Sequence, residues 1–196
     1  GDWATLSLDQ TIEALELGGR RGLGSGRDRL FFEVERREAS TWSVSTSDLP
    51  ARPDALPGRI PRLLVKLESP LFLQARDERG RKRAILEPSF SDLLRASLRT
   101  LGQLARVHGG GALPADFRAL KEAAAEVPLL DHDFQPFVQP HWTNRGQRHH
   151  DYLAVTGIGI YENVPMSYLP WMLWGGKLHV GTHRIAGAGH WTLELH

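Results

Sequence analysis

The chain has 196 residues, 41% hydrophobic and 24% charged, with a formal net charge of +1. That profile fits a soluble globular protein of one mid-sized domain or two small ones, long enough to bury a sizeable core. No cysteine is present, which excludes disulfides and thiolate metal sites and fits a reducing compartment, so a cytoplasmic location is expected. No apolar run approaches the roughly 18 residues of a membrane span. Gly1-Asp2-Trp3 does not open a signal peptide, and without an initiator Met the chain reads as a piece of something longer.

In chain order, Leu8, Ile12 and Leu15 stand at helical spacing, and that helix is expected to stop at Gly18-Gly19. A Gly-rich, Arg-flanked loop follows (Arg20 to Arg27), then a strand over Leu30–Val34. Pro50, Pro53, Pro57 and Pro61 make 46–61 a linker or long surface loop and the best boundary. Leu63–Leu73 is strand-like, with Pro70 calling for an edge position or a bulge. Arg76–Arg83 is a charged turn centred on Gly80. Ser89-Phe90-Ser91-Asp92 caps a helix whose stripe is Leu93, Leu94, Leu98, Leu101 and Leu104, closed by Gly109-Gly110-Gly111. A shorter helix spans Asp116–Glu126. Strands are expected over Phe134–Trp142 and Tyr152–Tyr161, joined by a polar, basic connection over Asn144–His150. Pro165 starts a short helix towards Trp174, and Gly187–Leu195 closes with a strand.

From residue 62 on, the order is β-α-β-β-α-β with a small extra helix, the order of a ferredoxin-like α+β fold. The expected organisation is therefore a remnant of a preceding unit (1–45), a linker (46–61) and a C-terminal ferredoxin-like domain (62–196).

The most informative stretch is Leu178 to Trp191, where Gly181, Gly187 and Gly189 frame a loop carrying His183 and Arg184. Glycine tolerates positive φ and close approach of a ligand, and such a loop can turn N–H groups to a phosphate, or be only a turn. Cations are 20 Arg against 4 Lys. Arginine forks match phosphate, although codon bias accounts for the total most simply.

Several motifs stand in a telling order: Leu17-Gly18-Gly19-Arg20-Arg21-Gly22-Leu23-Gly24, Leu67-Glu68-Ser69-Pro70-Leu71, Trp142-Thr143-Asn144-Arg145 with Gln147-Arg148, Pro170-Trp171-Met172-Leu173-Trp174-Gly175-Gly176, then LHVG and GAG. Together they resemble the C-terminal domain region of CRISPR-associated pre-crRNA processing endoribonucleases of the RAMP superfamily, which are built of ferredoxin-like domains. The chain departs from that pattern at Thr182, where the family commonly has Lys. It departs again at Ala186, commonly an aromatic, and at His190, commonly Arg or Lys.

The resemblance implies attack of an RNA 2′-OH on the adjacent phosphate, with no metal and no cofactor. It implies CRISPR repeat RNA as partner, with other CRISPR effector subunits as a second partner class. RNA contacts would come from Gly181, Thr182, His183, Arg184, Gly187 and Gly189, with Arg145 and Arg148 as a second contact. The family's usual acid–base His lies in its N-terminal domain, whereas no His here precedes His108. His149 and His150 are then the local candidates.

Three rivals stand beside this reading: a non-catalytic RNA-binding subunit, a metal-dependent hydrolase using His149, His150 and Asp151, and a plain protein-interaction domain. His179 and His183 have a zinc-like spacing of four, but a glycine lies between them on an expected loop, so no metal site is expected. Trp171 and Trp174 read as core anchors. Arg95, Arg99 and Arg106 lie off the leucine stripe and read as a solvated face, or as the lining of an RNA groove. Arg76–Arg83 reads as a solvated hairpin turn.

Overall fold

The structure is a computed structural model, and it describes residues 10, 12–17, 20, 33, 49–108, 111–143 and 148–196. The chain forms two compact units, Gly1–Ser43 and Val44–His196. In the first, residues 12–17 are helical as their spacing predicts, and Arg20 is helical too, beyond the expected stop. Gly18-Gly19 and the Gly-rich loop at 21–27 lie outside the described residues. Glu33, the described position of the expected strand at 30–34, has no regular structure.

The second unit is built on a four-stranded antiparallel sheet. Its strands are β1 (Arg59–Leu71), β4 (Leu129–Thr143), β5 (Arg148–Pro165) and β6 (Trp191–Leu195). Their order is β4-β5-β1-β6, and β2 (Gln74–Arg76) with β3 (Lys82–Ala84) forms a separate hairpin. Three helices complete the unit: α1 (Phe90–His108), α2 (Phe117–Ala124) and α3 (Leu169–Leu178). With the β2–β3 hairpin and α2 set aside as insertions, the connectivity is the ferredoxin-like β-α-β-β-α-β.

The elements follow from local chemistry. Along β1, Leu63, Val65 and Leu67 are buried while Lys66 and Glu68 face out, the two-residue period of a strand covered on one face. Pro70 sits where the β1–β5 register shifts between Leu67 and Leu71, so the expected bulge is present, in a central strand. β4 tolerates Pro136 and Pro140 because it is an edge strand. It is longer than the expected Phe134–Trp142 because its pairing with β5 runs from Leu129 to Thr143.

α1 opens with a reciprocal cap. Ser89 Oγ accepts from the Asp92 N–H at 3.2 Å, and the Asp92 carboxylate accepts from the Ser89 N–H at 3.1 Å. Asp116 caps α2 by accepting from the N–H groups of Arg118 and Ala119.

The core lies between the sheet and the helices: Leu63, Val65 and Leu71 from β1, Phe90, Leu93, Leu94 and Leu98 from α1, and Trp171 and Met172 from α3. Gly175 and Gly176 let α3 pack closely, since a Cβ on either would run into Ser97 or Trp191. Two buried tyrosines satisfy their hydroxyls on carbonyls: Tyr161 donates to Pro88 at 2.7 Å and Tyr168 to Leu120 at 3.0 Å.

The described part of 46–61 is docked rather than free. Leu49 is buried, the Pro50 carbonyl accepts from Trp171 Nε1 at 3.1 Å, and the Ala51 carbonyl accepts from the Asp116 N–H. Among the described residues, no helix is long and apolar enough to cross a membrane.

Candidate nucleic-acid interface

The loop from His179 to His190 is sewn to the bulge of β1. Its base is closed by the Val180 N–H donating to the Gly189 carbonyl at 3.0 Å. The Gly189 N–H donates to Pro70 at 3.0 Å and the Thr182 N–H to Phe72 at 3.1 Å. Gly181, Gly187 and Gly189 all have φ between 81° and 85°. That is why the expected strand over Gly187–Leu195 begins only at Trp191. A Cβ on Gly181 would lie 2.5 Å from the Phe72 carbonyl oxygen, and one on Gly189 would run into the Val180 carbonyl. Gly187 faces open space and needs only its φ.

The expectation that this loop turns its N–H groups to phosphate is therefore corrected in part. The N–H groups of Thr182, Ala186, Gly187, Ala188 and Gly189 all donate inside the protein. Those five N–H groups are not open to a phosphate.

The side chains of the loop are well held. His183 has φ 61° and its ring lies against Phe72 and Tyr152, with centroids at 4.8 and 4.4 Å. Phe72, Ala154 and Ala188 form a small buried cluster there with Tyr152 beside it. His183 thus anchors the 3-10 turn Arg184–Ala186, and Arg184 reaches back to Thr100 Oγ1 of α1 at 3.4 Å.

A groove of about 930 Å³ opens between this turn, α1 and the β2–β3 hairpin. Five cations line it: Arg76 and Lys82 from the hairpin, Arg95 and Arg99 from α1, and Arg184 from the loop. Among the described residues Asp92 is the one carboxylate in the lining, and it is already committed to the α1 cap and to an ion pair with Arg95. Like charges gathered in a cleft focus their field and attract a polyanion.

The hairpin is stiffened by Asp77, whose carboxylate accepts from the Arg81 and Arg79 N–H groups and from Arg81 Nε. The Arg81 backbone bond, above all, holds that carboxyl below its ordinary value.

At the base of the loop two imidazoles meet. His179 and His190 are stacked, with centroids 5.2 Å apart and planes 20° apart. His179 Nδ1 lies 3.1 Å from the Ala188 carbonyl. Beside them, Glu68 accepts from Thr192 Oγ1 at 2.8 Å and pairs with Lys66 at 3.1 Å. Those bonds, Thr192 first, hold its carboxyl below the ordinary range.

Of the residues singled out in the sequence, Gly181, Thr182, His183 and Arg184 line the groove. Gly187 and Gly189 shape the loop behind it. Arg148, His149 and His150 stand in β5, their backbones opposite Thr143, Trp142 and His141. Their side chains, and Arg145 entirely, lie outside the described residues. His179 meets His190 rather than His183, and among the described residues no three potential ligands gather for a metal.

Sequence reasoning weighed Arg95 and Arg99 as groove lining beside a solvated face, and it missed Arg76 and Lys82. Arg95 and Arg99 are four apart and share a helix face, a visible signal, but the partner elements were not. Arg76 and Lys82 read as a solvated turn, and only the fold brings that turn beside Arg184.

No protein-family model matches the sequence, and no curated protein matches it. Among solved structures, a Cas6 (TTHB231) product complex superposes with a TM-score of 0.57 at 14% identity, covering 93% of this chain and 69% of that one. The fold is Cas6-like. Thermus thermophilus Cas6 (TTHB231) gives 0.48 at 11% identity, covering 77% of this chain and 58% of that one. A Cas6 (TTHA0078) product complex gives 0.43 at 19%, covering 69% and 52%. This chain thus spans between about half and two thirds of the length of these Cas6 chains. The α+β, ferredoxin-like character expected from the sequence agrees with the Cas6-like fold.

Proposed function

We propose that the protein takes part in CRISPR RNA processing: it binds CRISPR repeat RNA and cleaves it without a metal through attack by the 2′-OH. The observation that carries this reading is the convergence of Arg76, Lys82, Arg95, Arg99 and Arg184 on one groove beside the glycine-framed loop. The Cas6-like fold supports it.

In this reading residues 62–196 are the RNA-holding domain. Residues 1–45 belong to a second ferredoxin-like unit, and 46–61 lead from it into the sheet of the first. The arginines grip the phosphate backbone with their planar forks and offset the charge that builds on phosphorus. Gly181, Gly187 and Gly189 set the loop that presents Arg184, and Arg145 and Arg148 make a second contact. The 2′-oxygen bonds to phosphorus, the bond to the 5′-oxygen breaks, and a cyclic phosphate remains. DNA lacks the nucleophile. Other CRISPR effector subunits are the protein partners this role would bring.

A second reading is a non-catalytic RNA-binding subunit, since the five groove cations would hold RNA equally well without cutting it. One experiment separates the two. The protein is incubated in EDTA with a host CRISPR repeat RNA, beside the same RNA carrying a 2′-deoxy nucleotide at the cut. Cleavage in EDTA that the deoxy nucleotide blocks is expected. Tight binding without cleavage would favour the holding subunit, and no binding at low salt would end both readings.

A further inference from the structure

Cleavage by a 2′-OH needs one group to take the hydroxyl proton and another to protonate the departing 5′-oxygen. Two imidazoles are placed together for such work at the base of the glycine-framed loop. His179 and His190 are both half-buried, neither filling the core nor waving in solvent.

His179 is fixed at φ 58°, a conformation L side chains rarely adopt, and its N–H caps α3 by donating to Gly176. Backbone strain of this kind persists only where the surroundings enforce it, and it gathers at functional sites. A carbonyl can only accept, so the contact with Ala188 engages Nδ1 as the donor, and Nε2 is the ring nitrogen this contact does not use.

His190 is held by its backbone from both sides. Its N–H donates to Ser69 Oγ at 2.9 Å, and its carbonyl accepts from the Glu68 and Ser69 N–H groups. His179 stands in the same loop as Arg184, which lines the groove, with at most about 17 Å of extended chain between them.

We propose that His179 is the general base and His190 the general acid of the cleavage, a proposal that rests on the RNA-processing reading above. His179 Nε2 takes the 2′-OH proton as the 2′-oxygen bonds to phosphorus. The bond from phosphorus to the 5′-oxygen breaks, and the His190 imidazolium gives its proton to that oxygen. The products are a 2′,3′-cyclic phosphate and a 5′-hydroxyl, and exchange with water resets both rings.

The test uses the full chain and a host CRISPR repeat RNA, with His179→Gln, His190→Gln, His149→Gln and His150→Gln compared. Binding is measured with the 2′-deoxy RNA, which reports intact folding. For His179→Gln and for His190→Gln, cleavage is expected to slow at least about 100-fold, with affinity within twofold of the parent protein. An RNA whose leaving 5′-oxygen is replaced by sulfur needs no acid. It is expected to restore cleavage by His190→Gln and not by His179→Gln, a split that a merely structural role would not produce.

Three outcomes overturn the proposal: cleavage by both variants within threefold of the parent, loss of cleavage only in the His149 or His150 variants, or affinity lost in step with cleavage. A parent protein that binds the RNA and never cuts it also overturns the pair while leaving RNA binding intact. A parent protein that binds no RNA overturns the wider reading as well.

Discussion

At the scale of single residues, the loop glycines are not equivalent. Gly189→Ala must both adopt positive φ and push a methyl into the Val180 carbonyl. Gly187→Ala meets only the φ cost, about 1–2 kcal/mol. Urea unfolding of the two variants is expected to show Gly189→Ala clearly the less stable, and equal midpoints would refute the ordering.

Tyr168 gives a second residue-scale prediction. Burial pushes its hydroxyl up from 10.0 to about 12. Between those values the unfolded chain loses the proton while the native one keeps it. Stability is therefore undiminished by this group below pH 10 and falls as pH rises towards 12. Tyr168→Phe is expected to flatten that alkaline slope. It also lowers stability at neutral pH by about 1–3 kcal/mol, because the Leu120 carbonyl loses its donor. A slope unchanged by the substitution, in melts at stepped pH, would count against this.

At the scale of elements, α1 and the β2–β3 hairpin carry the groove's charge. Each phosphate neutralised should add about −0.7 to −0.9 to the slope of log affinity against log salt. The double variant Arg95→Gln with Arg99→Gln should lessen that slope by about 1.4 to 1.8 and weaken all RNA sequences alike. A slope that does not change would remove α1 from the interface.

Much of this level was legible in the sequence. The leucine stripe from Leu93 to Leu104 and the Ser89–Asp92 cap announced α1, because both are local patterns. Pro70 announced a bulge. The strand ends were misjudged where a tertiary circumstance decided them. β4 was expected to run through Pro136 and Pro140 and does so at the sheet edge, but it begins at Leu129 because the ladder to β5 reaches back to Tyr161. The closing strand starts late because left-handed glycines cannot extend a sheet.

At the scale of the whole molecule, the β-α-β-β-α-β order was readable because each element has its own periodicity. The site was readable only in part. Glycines and Arg184 marked the loop, since their chemistry is written at their own positions. The groove was not readable, since Arg76, Arg95 and Arg184 are far apart in sequence and share only a place in space. The stacking of His179 on His190 was hidden for the same reason. Their eleven-residue separation has no helical or strand meaning, and only closure of the loop by Val180 and Gly189 brings the rings together.

The prolines of β4 have one more consequence. Pro136 and Pro140 are four apart, so both occupy the same side of the strand, and the ladder to β5, in constant register from Asp131 to Thr143, puts that side outward. Two donors are thereby missing from the row that an incoming strand would need to recognise. At the opposite margin β6 offers only five residues. The sheet is therefore a poor template for growth at either border. A crowded solution of this protein should resist fibrillar association along β4, and Pro136→Val with Pro140→Val should release it.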